Sequence, residues 1–294
     1  MQANTRGPNW PRVSVVVPAL NEARNIPHVF ARLPEDVHEV ILVDGHSVDD
    51  TLAVARRLRP DVRIVTQSRR GKGNALACGF AVATGDIIAM IDADGSTDPA
   101  EIPLFVNALT DGADFAKGTR CAKGGGSSDI TRFRSLGNRA LSAIFNMRYG
   151  THYSDLCYGF NVFWRRHAGV LGLDAESPAP PGANGQLLGD GFEIETLIHI
   201  RVAKAGLRVA EVPSFEHSRI HGASNLSASR DGIRVVRTML AEPRRDRRWA
   251  GRGDGMTAPA PLEPGARAKE PATPTAPASP TGFSAGDLAT PSSR

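Results

Sequence analysis

A chain of 294 residues, 41% of them hydrophobic, can bury one large core, and its apolar residues thin out beyond about residue 243. A net charge of +4 and a pI near 9.2 favour an anionic partner, a phosphorylated substrate or an acidic membrane surface, and no nucleic-acid module is present to suggest DNA or RNA. Three scattered cysteines, Cys78, Cys121 and Cys157, argue against a zinc site, and the lack of a signal pattern or of an apolar run of ~20 residues leads us to expect a cytoplasmic protein without a transmembrane segment, any membrane contact being peripheral.

In chain order, residues 1–12 form an N-terminal extension. Val13–Val17 is a β-branched run that reads as a first strand ending at Pro18. A loop through Ala19, Asn21 and Glu22 leads to a helix capped by Asn21 or Asn25 and reaching about Leu33. Val37–Val43 is the second strand and ends at Asp44. Thr51–Arg59 is a helix, Arg63–Thr66 a third strand and Ala75–Ala83 a helix of small residues, preceded by Gly71-Lys72-Gly73. Asp86–Ile91 is the fourth strand.

The strand Ile87–Ile91 has the continuous apolar character of one covered on both faces. It stops at Asp92, with Ala93 and Asp94 following and Gly95 and Pro99 breaking the chain. Two carboxylates therefore stand at the carboxyl tip of a parallel strand, where open α/β sheets bind ligands. Hard oxygen donors there suit Mg²⁺ or Mn²⁺ bridging a diphosphate; the alternative is a pair of solvated turn aspartates. Asn21, Asp44 and Asp92 arrive at the same sheet edge.

Further on, Glu101–Leu109 reads as a helix and Phe115–Thr119 as a strand. Arg120–Arg139 is a loop and then a helix, Phe160–Trp164 a strand, and Ser177–Gly191 a Pro- and Gly-rich loop. Phe192–Ala205 is a helix, Val209–Val212 a strand, Ser214–Asn225 a polar loop, and Asp231–Leu240 a last helix. Residues 243–294 are Pro-, Ala- and Arg-rich and are expected to be disordered, which leaves one domain over 13–242. The basic run Arg244–Arg252 suits either docking to anionic lipid or a solvated linker. Alternating strands and helices with short connections predict an α/β domain with a mostly parallel sheet covered on both faces.

Val13–Glu22, Val43–Thr51, Gly71–Leu76 and Asp92-Ala93-Asp94 come in the order and spacing seen in family 2 glycosyltransferases. The resemblance implies the GT-A fold, a Rossmann-like nucleotide-sugar-binding sheet with a divalent cation, Mg²⁺ or Mn²⁺, at the Asp-x-Asp motif. Gly118-Thr119-Arg120, Arg132–Asn138, Ser154–Phe160 and Arg219–Leu226 resemble the dolichol- and polyprenyl-phosphate sugar transferases. Two departures stand out: Gly45 follows Asp44 where the family often has a second aspartate, and Asn225 replaces a frequent lysine.

What the resemblance implies for single residues is as follows. Asp92 and Asp94 hold the metal, Asp94 more directly, with His221 as a possible third ligand. Pro18, Ala19, Asn21, Glu22, Asp44, Lys72 and Ala93 join Asp92 around the nucleotide-sugar. Asp155 lies near the acceptor as general base or orienting group, and Arg120, Arg132, Arg219 and Ser224 grip acceptor phosphate. Arg134 and Arg139 are read as solvated, and Glu193 and Glu195 as structural. The implied reaction is an inverting transfer of a hexose from a donor of the GDP-mannose or UDP-glucose type to a polyprenyl or dolichyl phosphate. The alternatives are a soluble hydroxyl or phosphate acceptor, and a nucleotide-binding module without catalysis.

Overall fold

The computed structural model describes residues 10–177, 187–222 and 228–242. The expectations for residues 1–9, for the middle of the Ser177–Gly191 loop, for Ser224 and Asn225, and for the whole tail from 243, with Arg244–Arg252, lie outside them.

The elements are β1 (Val13–Ala19), α1 (Ile26–Ala31), β2 (Glu39–Asp44), α2 (Thr51–Leu58), β3 (Arg63–Thr66), α3 (Lys72–Val82), β4 (Ile87–Met90) and α4 (Ile102–Thr110). They continue as β5 (Phe115–Thr119), β6 (Gly126–Ser127), α5 (Arg132–Tyr149), β7 (Asn161–Trp164), α6 (Ala168–Leu171), α7 (Ile194–Lys204), β8 (Val209–Pro213), β9 (Phe215–Glu216) and α8 (Ala228–Ala241).

Seven strands form one sheet in the order β3-β2-β1-β4-β7-β5-β8, and β6 pairs with β9 beside it. All neighbours in the large sheet are parallel except β7, which runs antiparallel to both β4 and β5. An apolar run such as Phe160–Trp164 carries no sign of its direction, so the sequence left this inversion unread. Along β1, Val13, Val15 and Val17 face the side covered by α1, α2 and α4, while Val16 faces α3 and α7. This two-residue alternation with both sides buried accounts for the unbroken β-branched run. A third cluster joins α5, α7 and α8 through Phe145, Ile200, Val235 and Met239.

Two boundaries differ from expectation in ways that matter to the site. α3 begins at Lys72 rather than Ala75, because Gly71, at φ +119°, supplies the turn that starts it. α5 runs on to Tyr149 and is closed by Gly150 in the left-handed conformation.

Candidate active site

The strand order reverses beside β1: β2 and β3 lie to one side of it and β4 to the other. Open α/β sheets form their ligand crevice at such a reversal, outside the carboxyl ends of the strands. The residues leaving β1, β2 and β4 there are the ones the motifs pointed to. Ala19 is in register with Asp44, and Asp92 follows β4 by two residues.

Each side chain at this edge is held. Asp44 is buried and accepts from the backbone N–H groups of His46 and Ser47 at 3.1 and 3.0 Å, so it shapes the turn after β2. Asn21 has φ +58° and accepts from Val48 N–H at 2.8 Å, tying the exit of β1 to that turn. Asn25 occupies the cap position of α1, but its amide serves Glu22 at 2.5 Å and the His221 carbonyl at 3.1 Å.

Lys72, in the first turn of α3, places its ammonium 2.6 Å from Asp92 and 2.6 Å from Glu195 on α7. Burial works against that ammonium, but the two carboxylates outweigh it and raise its pKa above the ordinary lysine value. Burial pushes the Asp92 carboxylate up; Lys72 opposes the rise, and Asp94 and Glu195 add to it. Asp94 lies 3.2 Å from Arg219, which also reaches Glu22 at 2.5 Å. Both motif carboxylates are thus matched by a cation supplied from another element.

The predicted acceptor residues form a second group at the end of β5. Asp155 is fully buried and takes a two-pronged contact from Arg120, at 2.7 and 2.8 Å, with further bonds from the Arg120 N–H at 3.1 Å and the Asn138 amide at 2.9 Å. Burial alone would raise its pKa, but Arg120 and the buried Lys117 ammonium hold it at about 2. Arg120 spends its remaining nitrogen on Glu216 at 2.9 Å. One expectation is narrowed here and another corrected. Of the two roles open to Asp155, a carboxylate with no exposure and an acidity this strong suits the orienting one rather than the base, and a guanidinium only 6% exposed and shared by two carboxylates is too enclosed to grip a phosphate.

One segment joins the groups. Glu216 contacts Arg120 and Ser127, while three residues on Arg219 contacts Asp94 and Glu22. The same segment is anchored by Ile220 N–H to the Asp94 carbonyl at 3.2 Å and by His217 N–H to the Ser96 carbonyl at 2.8 Å. Arg132 sits exposed at the start of α5 and makes no ion pair with either group among the described residues.

Glu195, read from the sequence as structural, is the residue that reasoning missed. Its signal was Lys72 itself, since a lysine in a buried crevice needs a second counter-charge. Glu193 keeps its structural reading, accepting from the N–H groups of Gly189 and Gly191 at 3.2 and 3.3 Å.

The donor set can be tested against a divalent cation. Among the described residues no group of three or more His, Cys, Asp or Glu side chains could hold a metal. His221 therefore does not complete a shell with Asp92 and Asp94; its ring centroid lies 5.5 Å from that of His28. Mg²⁺ and Mn²⁺ are commonly held by one or two carboxylates with phosphate oxygens and water in the other positions. Two aspartates fit a cation that arrives with a diphosphate, and do not fit one caged by protein alone.

The crevice wall gives a first prediction. A Cβ on Gly73 would stand 1.7 Å from the Gly189 carbonyl oxygen, a backbone atom. Gly73→Ala should push residues 187–191 away from Lys72, costing about 1–3 kcal/mol and weakening donor binding more than it slows turnover. Chemical denaturation and a KM-against-kcat comparison check this; an unchanged donor KM would show that this contact does not shape the crevice.

The model of the family described as Glycosyl transferase family 2 matches residues 14–170. An uncharacterized glycosyltransferase of Mycobacterium tuberculosis is 42% identical over 221 residues, covering 75% of this chain and 92% of the relative. An undecaprenyl-phosphate mannosyltransferase of Micrococcus luteus is 29% identical over 252 residues, covering 82% and 97%. Among solved structures, glucosyl-3-phosphoglycerate synthase of M. tuberculosis with Mn²⁺, UDP-glucose and phosphoglyceric acid superposes with a TM-score of 0.58 at 25% identity, over 79% of this chain and 81% of that one.

Proposed function

The chain belongs to glycosyl transferase family 2 and is a glycosyltransferase; on that premise we propose that it moves a hexose from a GDP-mannose- or UDP-glucose-type donor to a polyprenyl phosphate. The observation that carries this reading is the meeting of Asp92, Asp94, Glu22, Lys72 and Arg219 at the β1–β4 crevice.

Asp92 and Asp94 would hold Mg²⁺ or Mn²⁺ with the donor, and the cation would neutralise the diphosphate as it departs. Pro18, Ala19, Asn21, Glu22, Asp44 and Ala93 line the nucleoside end. Lys72 and Arg219 bring positive charge to the diphosphate end, and both already sit beside the motif carboxylates. An acceptor oxygen attacks the anomeric carbon from the face opposite the leaving diphosphate. Asp155 acts as a positioning residue: it fixes Arg120, which fixes Glu216 and with it the segment carrying Arg219.

A phosphate acceptor is largely an anion at neutral pH, so the reaction requires no proton to be removed from it. That suits an Asp155 held at about 2. The M. luteus relative is named for an undecaprenyl-phosphate acceptor, and the alignment spans 97% of its length.

Acceptor assays test the reading. With labelled GDP-mannose or UDP-glucose and Mn²⁺, label should enter the organic phase when undecaprenyl phosphate is supplied in detergent. Label entering only a water-soluble product with 3-phosphoglycerate would replace the lipid acceptor by a soluble one.

A further inference from the structure

α5 has two unlike faces. Asn138, Ser142 and Phe145 point inward, with Asn138 on Asp155 and Ser142 accepting from Leu156 N–H at 3.0 Å. On the other face Phe133, Leu136, Ala140, Ile144 and Met147 recur at spacings of three and four and are exposed, Phe133 at 75% and Met147 at 80%. α8 packs against α5 through Val235 and Met239, leaving Ile233, Val236 and Leu240 outward on its own exposed stripe. Among the described residues, two neighbouring helices thus each present an apolar row without a partner, which a soluble surface rarely leaves uncovered.

The charge beside the α5 row has one sign. α5 carries Arg132, Arg134, Arg139 and Arg148 and no acidic residue. Arg132 and Arg139 flank its apolar row and Arg237 flanks that of α8; none of the three makes an ion pair among the described residues. Arg132 and Arg139 also line a shallow hollow of about 360 Å³ with Ile130, Thr131, Ser135 and Leu136, at the end of the α5 row. A protein partner for an apolar row needs shape; an anionic bilayer needs apolar side chains at headgroup depth with basic residues beside them, and this is the pattern present.

We infer that the outer faces of α5 and α8 dock this protein onto an anionic lipid surface, the apolar rows entering the headgroup boundary and Arg132, Arg139 and Arg237 meeting lipid phosphates. The docking is tested without donor, metal or acceptor, so its failure and that of the proposed reaction are separable.

The test is co-sedimentation of the full chain with vesicles of phosphatidylcholine alone or mixed equally with phosphatidylglycerol. Binding should be confined to the anionic vesicles and be released at 0.5 M salt, where the Debye length falls to about 4 Å from about 10 Å at 0.1 M. Leu136→Asp with Met147→Asp should weaken it more than tenfold at an unchanged melting temperature, since both side chains are exposed. Arg139→Gln with Arg237→Gln should weaken it by more than tenfold as well, at about fivefold per arginine. Equal binding by wild type and both variants would mean that another segment, such as Arg244–Arg252, makes the contact, and would overturn the inference. So would no vesicle binding at all, or a concentration-dependent dimer of the wild type that Leu136→Asp with Met147→Asp dissolves.

Discussion

Asp94→Asn is expected to lower sugar transfer by about two to three orders of magnitude while leaving the fold in place. The reason is local. Asp94 stands beyond the end of β4, its side chain 23% exposed, and its contact to a neighbouring side chain is the 3.2 Å pair with Arg219. Losing that pair costs about 0–1 kcal/mol, because Arg219 keeps Glu22 at 2.5 Å. The amide, in contrast, halves the negative charge available to a divalent cation between two carboxylates. Transfer rate against Mn²⁺ concentration, with melting temperature as control, separates the effects. A variant within threefold of wild type at every Mn²⁺ concentration would remove Asp94 from the reaction.

Asp155→Asn should do the opposite: a large stability loss from a residue that touches no donor atom. It leaves the Arg120 guanidinium, 6% exposed, with only Glu216 as a charged partner. Breaking one member out of a buried pair costs about 3–5 kcal/mol, or roughly 10 °C in melting temperature for a domain of this size. The sign of the pH dependence follows from the acidity. Asp155 is held at about 2 in the folded chain, below an ordinary aspartate. Its contribution of about 2–3 kcal/mol is fully present above pH ~4 and is lost as pH falls from there towards 2. The gap between wild type and Asp155→Asn, measured by urea unfolding at pH 7, 4 and 3, should therefore narrow with acid. A gap independent of pH would show that Asp155 is not ionised in the way the Arg120 contact requires.

The parts of the site that the sequence disclosed are those carried by strand ends. Asn21, Asp44, Asp92 and Asp94 each follow an apolar run, and parallel strands deliver such residues to one edge regardless of what the loops do. The strands themselves were legible for the same reason, with β3 and β5 found at their observed bounds. What stayed hidden depends on pairing across long separations. Glu195 lies 123 residues from Lys72, and Glu216 lies 96 from Arg120, so neither partnership leaves a local pattern. The sequence left two roles open for Asp155, base or orienting group, for a related cause: its residue type suits either, and it is the three-sided enclosure by Arg120, Asn138 and Lys117 that favours the second. The reversed direction of β7 is of the same kind, since it is fixed by what lies on either side of the strand.

We propose that Asp92 and Asp94 receive a divalent cation together with a nucleoside diphosphate. Anomalous diffraction from crystals soaked with Mn²⁺ and GDP or UDP tests it most directly. A single strong peak is expected about 2.0–2.3 Å from an Asp94 carboxylate oxygen, beside Asp92, present only when a diphosphate is present too. A nucleotide ordered at the β1–β4 crevice with no peak at these aspartates, or a Mn²⁺ peak elsewhere in the chain, would contradict it.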